Sequence, residues 1–444
     1  MADVAQESPR IDFCGADGRH GPGTWGQRHI WAAVIDNRGN PDRFTMRRVW
    51  PAPRDRTVAD VVAALRTLVE RHEALRTRID IDRGALLQVV RRSGSFACPV
   101  TDSDTPWSRA AAIREASDLS VDSFEHDGGP PVRFRVLSCG GEPQWVAVAI
   151  SHLLVDADAC GGLEAELHAL LNGTAARKLP VYQPLQRAHF ELSPDGQAHN
   201  EQTLRFWRTT LEQYPEWLFP LRADGNGVWQ GARFPVIQAH APGLGRHVEE
   251  LAERLRVSAP ALCTAAFCKA FSACSDATAY PLGVTFSNRV LPWSRGYVGS
   301  LAQHGVIGVR DVHAPLDQLA RRTGQSLLQG HRFSLYDQDN VFALIDQVCA
   351  EKRDFYGPVA NFVNFQYRSV PNDGFGSSEG LPRRDLVFDE EAPQRDSAVR
   401  FGLHIGSDRS TLFIRISLDQ ACVGADTMRE AMEEATAQLW SLIP

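Results

Sequence analysis

The chain has 444 residues, more than one hydrophobic core usually serves, so two domains or two lobes are expected. With 43% apolar and 23% charged residues it is neither disordered nor fibrous in composition. A net charge of −7 offers no broad positive field for gripping a phosphate backbone, which sets nucleic acid aside as a partner.

Residues 1 to 22 are polar and glycine-rich and read as a loose lead-in. The start, Met1 to Ser8, lacks the basic and apolar segments of a secretory signal. No run reaches the roughly 18 to 20 apolar residues that cross a bilayer, so a cytoplasmic chain with no membrane partner is expected. From Thr57 to Leu75, Val58, Val61, Val62, Leu65, Leu68, Val69 and Leu75 recur at helical spacing and predict an amphipathic helix. Pro131 to Leu137 and Gln144 to Ile150 read as two strands joined through Gly140-Gly141. The second strand runs into Ser151-His152-Leu153-Leu154-Val155-Asp156. Ala157 to Leu171 then reads as a helix, with Leu163, Leu167, Leu170 and Leu171 on one side.

The stretch Leu171 to Arg187, with Asn172-Gly173, Pro180 and Pro184, reads as a linker, which divides the chain into lobes at 1–180 and 181–444. Helices are predicted near Asn200 to Tyr214, Leu251 to Ser275 and Ala425 to Leu442. Strands are predicted near Tyr280 to Ser287, Asn361 to Gln366, Val399 to His404 and Thr411 to Ser417. No internal repeat or heptad run is found.

Two cofactor classes are disfavoured. None of the three lysines, Lys178, Lys269 and Lys352, follows a glycine, as a Walker-type phosphate loop requires. The nine cysteines include no Cys-x-x-Cys pair. Cys263, Cys268 and Cys274 share one predicted helix at a spacing that suits core packing and not zinc, so no metal is expected.

His-x-x-x-Asp occurs three times. His313 to Asp317 precedes a helix, where Asp317 serves as first-turn helix chemistry, and His404 to Asp408 crosses Gly406-Ser407 as a hairpin turn would. Only His152 to Asp156 has a strand before it and an apolar helix after it, a junction on which chemistry is often mounted. From the motif alone His152 is open to two readings, a reacting imidazole or a hydrogen-bonded strand-end histidine. Asp156 is open to a site role or a helix cap.

In these residues the chain resembles the condensation domains of nonribosomal peptide synthetases, in the chloramphenicol-acetyltransferase-like superfamily. Ser151-His152-Leu153-Leu154-Val155-Asp156-Ala157 is similar to the family's HHxxxDG, with Ser151 in place of the first histidine and Ala157 in place of glycine. Arg71-His72-Glu73-Ala74-Leu75-Arg76-Thr77-Arg78-Ile79 is similar to RHExLRTxF, and Thr24 to Trp31 partly matches SxAQxRLW. Asp337-Gln338-Asp339 resembles HQD. Arg353-Asp354 with Asn361 to Gln366 resembles RDxS and FNFQ, and Val298-Gly299-Ser300-Leu301 starts like VGxF.

The resemblance implies an α/β fold of two acetyltransferase-like lobes, each an α+β two-layer sandwich, in a V with a central tunnel and His152 at its centre. It implies that Asp156 is structural and pairs with Arg289, expected from the second lobe. It also implies a free-standing enzyme that takes an acyl or aminoacyl thioester from the 4′-phosphopantetheine arm of an acyl or peptidyl carrier protein in trans. The acyl group would join a small-molecule amine or alcohol, as an amide or ester, in natural-product or antibiotic biosynthesis. No cofactor bound by the chain itself is implied.

Neutral imidazole would be the competent form of His152, with Asn364 as a candidate oxyanion donor and Ser151 as a possible positioning group. Two other readings stay open. One is an acyl-CoA-dependent acyltransferase, although the plant-branch motif DFGWG is met only by the loose echo Asp373-Gly374-Phe375-Gly376. The other is an inactive condensation-like module that recruits partners, a class usually marked by loss of the histidine present here.

Overall fold

The computed structural model describes residues 8–15, 18–36, 44–120, 124, 131–174, 182–214, 218–219, 231–275, 277–348, 361–367, 386–389, 393, 400–408 and 410–442. Lys178, Lys352, Arg353-Asp354 and Asp373 to Gly376 lie outside them. The chain divides into two compact units, Met1–Ala198 with Ser287–Ala302, and His199–Phe286 with Gln303–Pro444. The single boundary expected between residues 180 and 181 is therefore corrected in two ways. The first unit runs 18 residues further, and it takes back a segment from the second half of the chain.

The first unit comprises β1 (Arg10–Cys14), β2 (Arg19–Pro22), α1 (Trp25–Asp36), β3 (Thr45–Pro51), α2 (Val58–Arg71), β4 (Thr77–Asp82), β5 (Ala85–Val90), β6 (Ser93–Ala97), β7 (Val100–Ser103), α3 (Arg109–Asp118), β8 (Val132–Cys139), β9 (Glu142–Ser151), α4 (Ala157–Leu171) and α5 (Pro184–Leu192). Its main sheet has the order β3-β9-β8-β7, flanked by a β2-β5-β4 sheet and a β1-β6 pair. The expected lead-in is in part structured: Ile11 and Phe13 alternate into the core of the unit, a pattern of two residues that is too short to read as a period.

Period-two alternation explains how β9 serves two layers. Val146, Val148 and Ile150 pack with Leu65 and Leu68 of α2 and Leu163 and Leu167 of α4, whereas Ala147 faces Ala112 and Ala116 of α3. Gly140 and Gly141, at φ 58° and 83°, make the tight β8–β9 turn that only glycine adopts easily. α2 starts in a reciprocal box, with Thr57 Oγ1 accepting from the Asp60 amide and Asp60 accepting from the Thr57 amide. It ends at Arg71, earlier than the predicted Leu75. His72 is extended, and Glu73–Arg76 forms a 3₁₀ turn.

α5 explains why the boundary moved. Pro184 opens this helix at its first position, where proline is favoured, so it marks a helix start inside the unit. On α5, buried Arg187 donates to Glu191 Oε1 at 2.8 Å, and Glu191 Oε2 accepts the Trp25 amide at 2.7 Å. These bonds tie α5 to α1.

The second unit holds α6 (Pro194–Gln213, from His199 on), β10 (Val236–Ala241), α7 (Leu244–Leu255), α8 (Ala259–Ser272), β11 (Tyr280–Phe286), β12 (Gln303–Val309), α9 (Leu316–Arg332), α10 (Gln338–Val348), β13 (Asn361–Tyr367), β14 (Val387–Asp389), β15 (Phe401–Ser407), β16 (Leu412–Leu418) and α11 (Ala425–Ser441). Its seven-stranded sheet has the order β12-β11-β13-β15-β16-β10-β14. α7, α8 and α11 bury Val248, Phe267, Phe271, Met428 and Met432 against strand residues such as Phe401, Leu403 and Ile414.

The single helix predicted from Leu251 to Ser275 is two. Arg256 turns left-handed at φ 56°, Ser258 caps the next helix by accepting from the Ala261 amide, and Pro260 sits in its first turn. Cys263 and Cys268 are buried in the core of this unit, as free thiols whose pKa values burial pushes well up. The other two His-x-x-x-Asp pairs are local structure. Asp317 lies in the first turn of α9, and Asp408 accepts from the Ser410 and Thr411 amides in the β15–β16 turn, just past Gly406-Ser407, which stay in the strand.

Candidate active site

β9 ends at Ser151, and residues 152 to 154 turn the chain into α4. The turn is closed by the Leu154 amide donating to the Ser151 carbonyl at 3.0 Å. His152 extends the edge ladder by donating its amide to the Phe44 carbonyl at 2.8 Å. The His152 side chain is partly buried, and its Nδ1 lies 2.9 Å from the Val155 carbonyl. A carbonyl can only accept, so Nδ1 carries the hydrogen and Nε2 of the neutral ring keeps its lone pair. Burial pulls the imidazole pKa below its ordinary value, and the Arg48 guanidinium adds to that. The Asp156 carboxylate and the Val155 carbonyl oppose it without reversing the direction.

Asp156 caps α4, with Oδ1 accepting from the Ala159 amide at 3.0 Å. Oδ2 accepts from the Leu301 and Ala302 amides at 2.8 and 3.1 Å. Arg289 grips both oxygens, Nη1 on Oδ2 and Nη2 on Oδ1, each at 2.7 Å. The same guanidinium donates to the Ser287 and Gly299 carbonyls at 3.1 and 2.9 Å. A two-pronged, nearly dry pair of this kind fixes geometry, because the carboxylate has spent its bonding capacity and both terminal nitrogens of the guanidinium are engaged. Asp156 is thus held by five donors and has no lone pair left for proton transfer.

The structure places Arg289 in the segment Ser287–Ala302 and hence in the first unit, which corrects its expected assignment to the second lobe. The segment leaves β11 through buried Asn288, held at φ 60° with its Nδ2 donating to the Leu301 carbonyl at 2.9 Å. Asparagine tolerates this left-handed conformation better than most residues. Val298-Gly299-Ser300-Leu301 acts through its backbone, by the Gly299 carbonyl and the Leu301 amide, which residue-type matching cannot detect. The signal in the sequence was the motif fragment itself.

Gly26 of α1 lies against this segment. A Cβ there would stand 2.1 Å from the Ser300 carbonyl oxygen, a clash with backbone that a rotamer change cannot relieve. Gly26→Ala is expected to lower the unfolding free energy by about 1–3 kcal/mol, read as a fall in thermal midpoint. An unchanged midpoint would show that the loop yields freely.

His152, Ser151, Asp156 and Arg289 all belong to the first unit; Asn364, in β13 between the positions of Thr285 and His404, belongs to the second. Ser151 is buried, and strand alternation directs it away from the His152 face. Among the described residues no hydrogen bond or ion pair joins the Arg71-to-Ile79 motif to the imidazole. Arg71 and His72 hold Glu166 of α4 at 3.0 and 2.8 Å, Arg76 donates to the Arg91 carbonyl, and Glu73 accepts from Arg19. It anchors the helix that Asp156 caps. Asp337 and Gln338 likewise serve structure, since the Asp337 amide donates to Asn200 and Gln338 is buried at the start of α10.

The condensation-domain family model matches residues 39–379. The chain belongs to the condensation-domain family. Such domains join acyl groups carried on phosphopantetheine arms of carrier proteins to acceptors, with formation of amides or esters. A stretch of 153 residues, 34% of this condensation domain, is 26% identical to cyclosporin synthetase simA of Tolypocladium inflatum and spans 1% of that protein's length. Among solved structures, the condensation domain that mediates chain release from the enacyloxin polyketide synthase is similar with a TM-score of 0.70 and 17% identity, over 99% of this chain and 84% of that one. The condensation domain of the monacolin K polyketide synthase MokA gives 0.69 and 16%, over 96% and 98%. These likenesses show the chloramphenicol-acetyltransferase-like fold.

Among the described residues no group of histidine, cysteine or acidic side chains could hold a metal ion, and no helix is long and apolar enough to cross a membrane.

Proposed function

We propose that this condensation domain transfers an acyl or aminoacyl group from the 4′-phosphopantetheine thioester of a carrier protein to a small-molecule amine or alcohol, with His152 as the reacting centre. The observation that carries the reading is the state of one ring. His152 has Nδ1 bound to the Val155 carbonyl, its protonation disfavoured, and its loop fixed by the Asp156–Arg289 pair.

Chemistry follows from that state. The acceptor nitrogen or oxygen attacks the thioester carbonyl carbon, and Nε2 takes the acceptor's proton as the new bond forms. The tetrahedral intermediate collapses with cleavage of the C–S bond, and the proton passes from the imidazolium to the departing thiolate. The thioester already stores the energy needed, so no nucleotide is consumed. An alcohol acceptor, which stays protonated until attack, depends on the base more than an amine does. Asp156 acts as a positioning residue throughout.

The test incubates the protein with an acyl thioester on a carrier protein, or with acyl-CoA, against mixed amines and alcohols, with products read by mass spectrometry. Carrier-dependent product with the wild type, and a rate lower by about 10²–10⁴ with His152→Ala, is expected. Product unaffected by the substitution would remove His152 from the reaction, and turnover with acyl-CoA alone would reassign the donor.

A further inference from the structure

We propose that Arg48 forms a carboxylate-binding subsite beside His152, selecting a donor or acceptor with a negative charge close to its reacting atoms. The inference rests on His152 being the reacting centre.

Arg48 lies on β3, the edge strand of the main sheet, opposite Val148 of β9. Strand alternation puts it on the face of Val146, Val148 and Ile150, the face that packs against α2 and α4. Its neighbours on that face of β3 are Met46 and Trp50, both packed in the apolar core, so Arg48 is a charge in a hydrocarbon row. The ladder continues along this edge to the bond between the His152 amide and the Phe44 carbonyl. Arg48 and Phe44 are four residues apart, on the order of 13 Å of strand, and an arginine side chain covers roughly half of that. The guanidinium is near enough to work against protonation of His152, and it also acts on Cys160 and Glu164 of α4.

What Arg48 lacks, among the described residues, is an ion-pair partner. Among the described residues its hydrogen bond is from Nη1 to the Arg47 carbonyl at 2.7 Å, and no carboxylate lies within ion-pair range of it. The surrounding groups are accounted for. Asp156 is saturated by Arg289 and three amides. Burial raises the pKa of Glu164 against the opposing pull of Arg48, and it holds the Cys160 thiol neutral, at about 12. A partly buried guanidinium with one backbone partner is costly, and it opposes the imidazolium that forms on His152 during transfer. A substrate carboxylate seated on Arg48 would remove both penalties, with the planar fork available for a two-pronged bond. A substrate without that charge would leave both in place.

The carboxylate could be on the acyl group or on the acceptor. Two probe pairs separate these sources: the hydrolysis-proof amide analogue of succinyl-pantetheine against its butyryl counterpart, and β-alanine against β-alaninamide. The readout is the NMR titration of the His152 ring, assigned by its loss in His152→Ala. In the wild type one carboxylated probe is expected to raise the midpoint saturably while its uncharged partner does not. The probe that does so identifies the source. Arg48→Gln should weaken that response at least tenfold, and Arg48→Lys, which keeps the charge but not the fork, should retain part of it. No response to either carboxylated probe in the wild type, or an equal response in Arg48→Gln, would overturn the subsite. Turnover is not needed, so a failure of the proposed reaction, seen as product formed at an undiminished rate by His152→Ala, is read separately.

Discussion

Asp156→Ala is expected to lower the unfolding free energy by about 3–5 kcal/mol, with transfer activity lost alongside it. The substitution deletes five accepted hydrogen bonds at once and leaves the Arg289 guanidinium buried opposite a methyl group. Most of the cost is that stranded charge, since a paired buried ion contributes little net stability while an unpaired one is heavily penalised. The α4 cap adds about 1 kcal/mol. Asp156→Asn, which keeps one acceptor oxygen but no charge, should fall between the two. Urea unfolding of the wild type and both variants measures the series. A loss below about 1 kcal/mol for the alanine variant would mean that the pair does not hold the site loop.

His152→Ala should behave in the opposite way, losing about 10²–10⁴ in rate with the fold retained. The wild-type pH profile carries the sign of the argument. Neutral imidazole is the working form, and burial lowers its pKa below the ordinary value of about 6.5. The rate should therefore stay level as pH falls through 6.5 and decline only at lower pH, with the limb absent from the residual activity of the variant. A limb at or above neutrality would contradict the environment described. By the same linkage the unfolded chain binds more protons below pH 6.5 than the folded one, so His152 withdraws stability as pH falls through that window.

The parts of this site that could be read from the sequence were those written in side chains at fixed spacing. Strand, histidine, aspartate and helix stood in order from Gln144 to Leu171, and α4 begins and ends where its leucine spacing put it. Arg289 was legible through the family resemblance, which implies an arginine at that strand end as the partner of Asp156. What escaped was written in the main chain. The Leu301 and Ala302 amides and the Gly299 carbonyl depend on a backbone path that residue identity does not encode, and the left-handed turn at Asn288 is a property of the fold. Domain limits failed for a related reason. Pro180 and Pro184 look like linker punctuation, but proline also opens helices, and the bond from the Trp25 amide to buried Glu191 that ties α5 to α1 spans 166 positions and has no local signature. The split of Leu251 to Ser275 was in principle visible, since Ser258 followed by Pro260 is a helix start.

Apart from the Ala159 amide, the groups that saturate the carboxylate of Asp156 lie 133 to 146 positions further along the chain. During synthesis the first 198 residues leave the ribosome with every strand of their sheets but without the Ser287–Ala302 segment that completes them. At roughly 5–20 residues per second the nascent unit waits several seconds with Asp156 unmatched. The imidazole loop is therefore among the last parts of that unit to set, and a translation product truncated after Ala198 should emerge without a formed site.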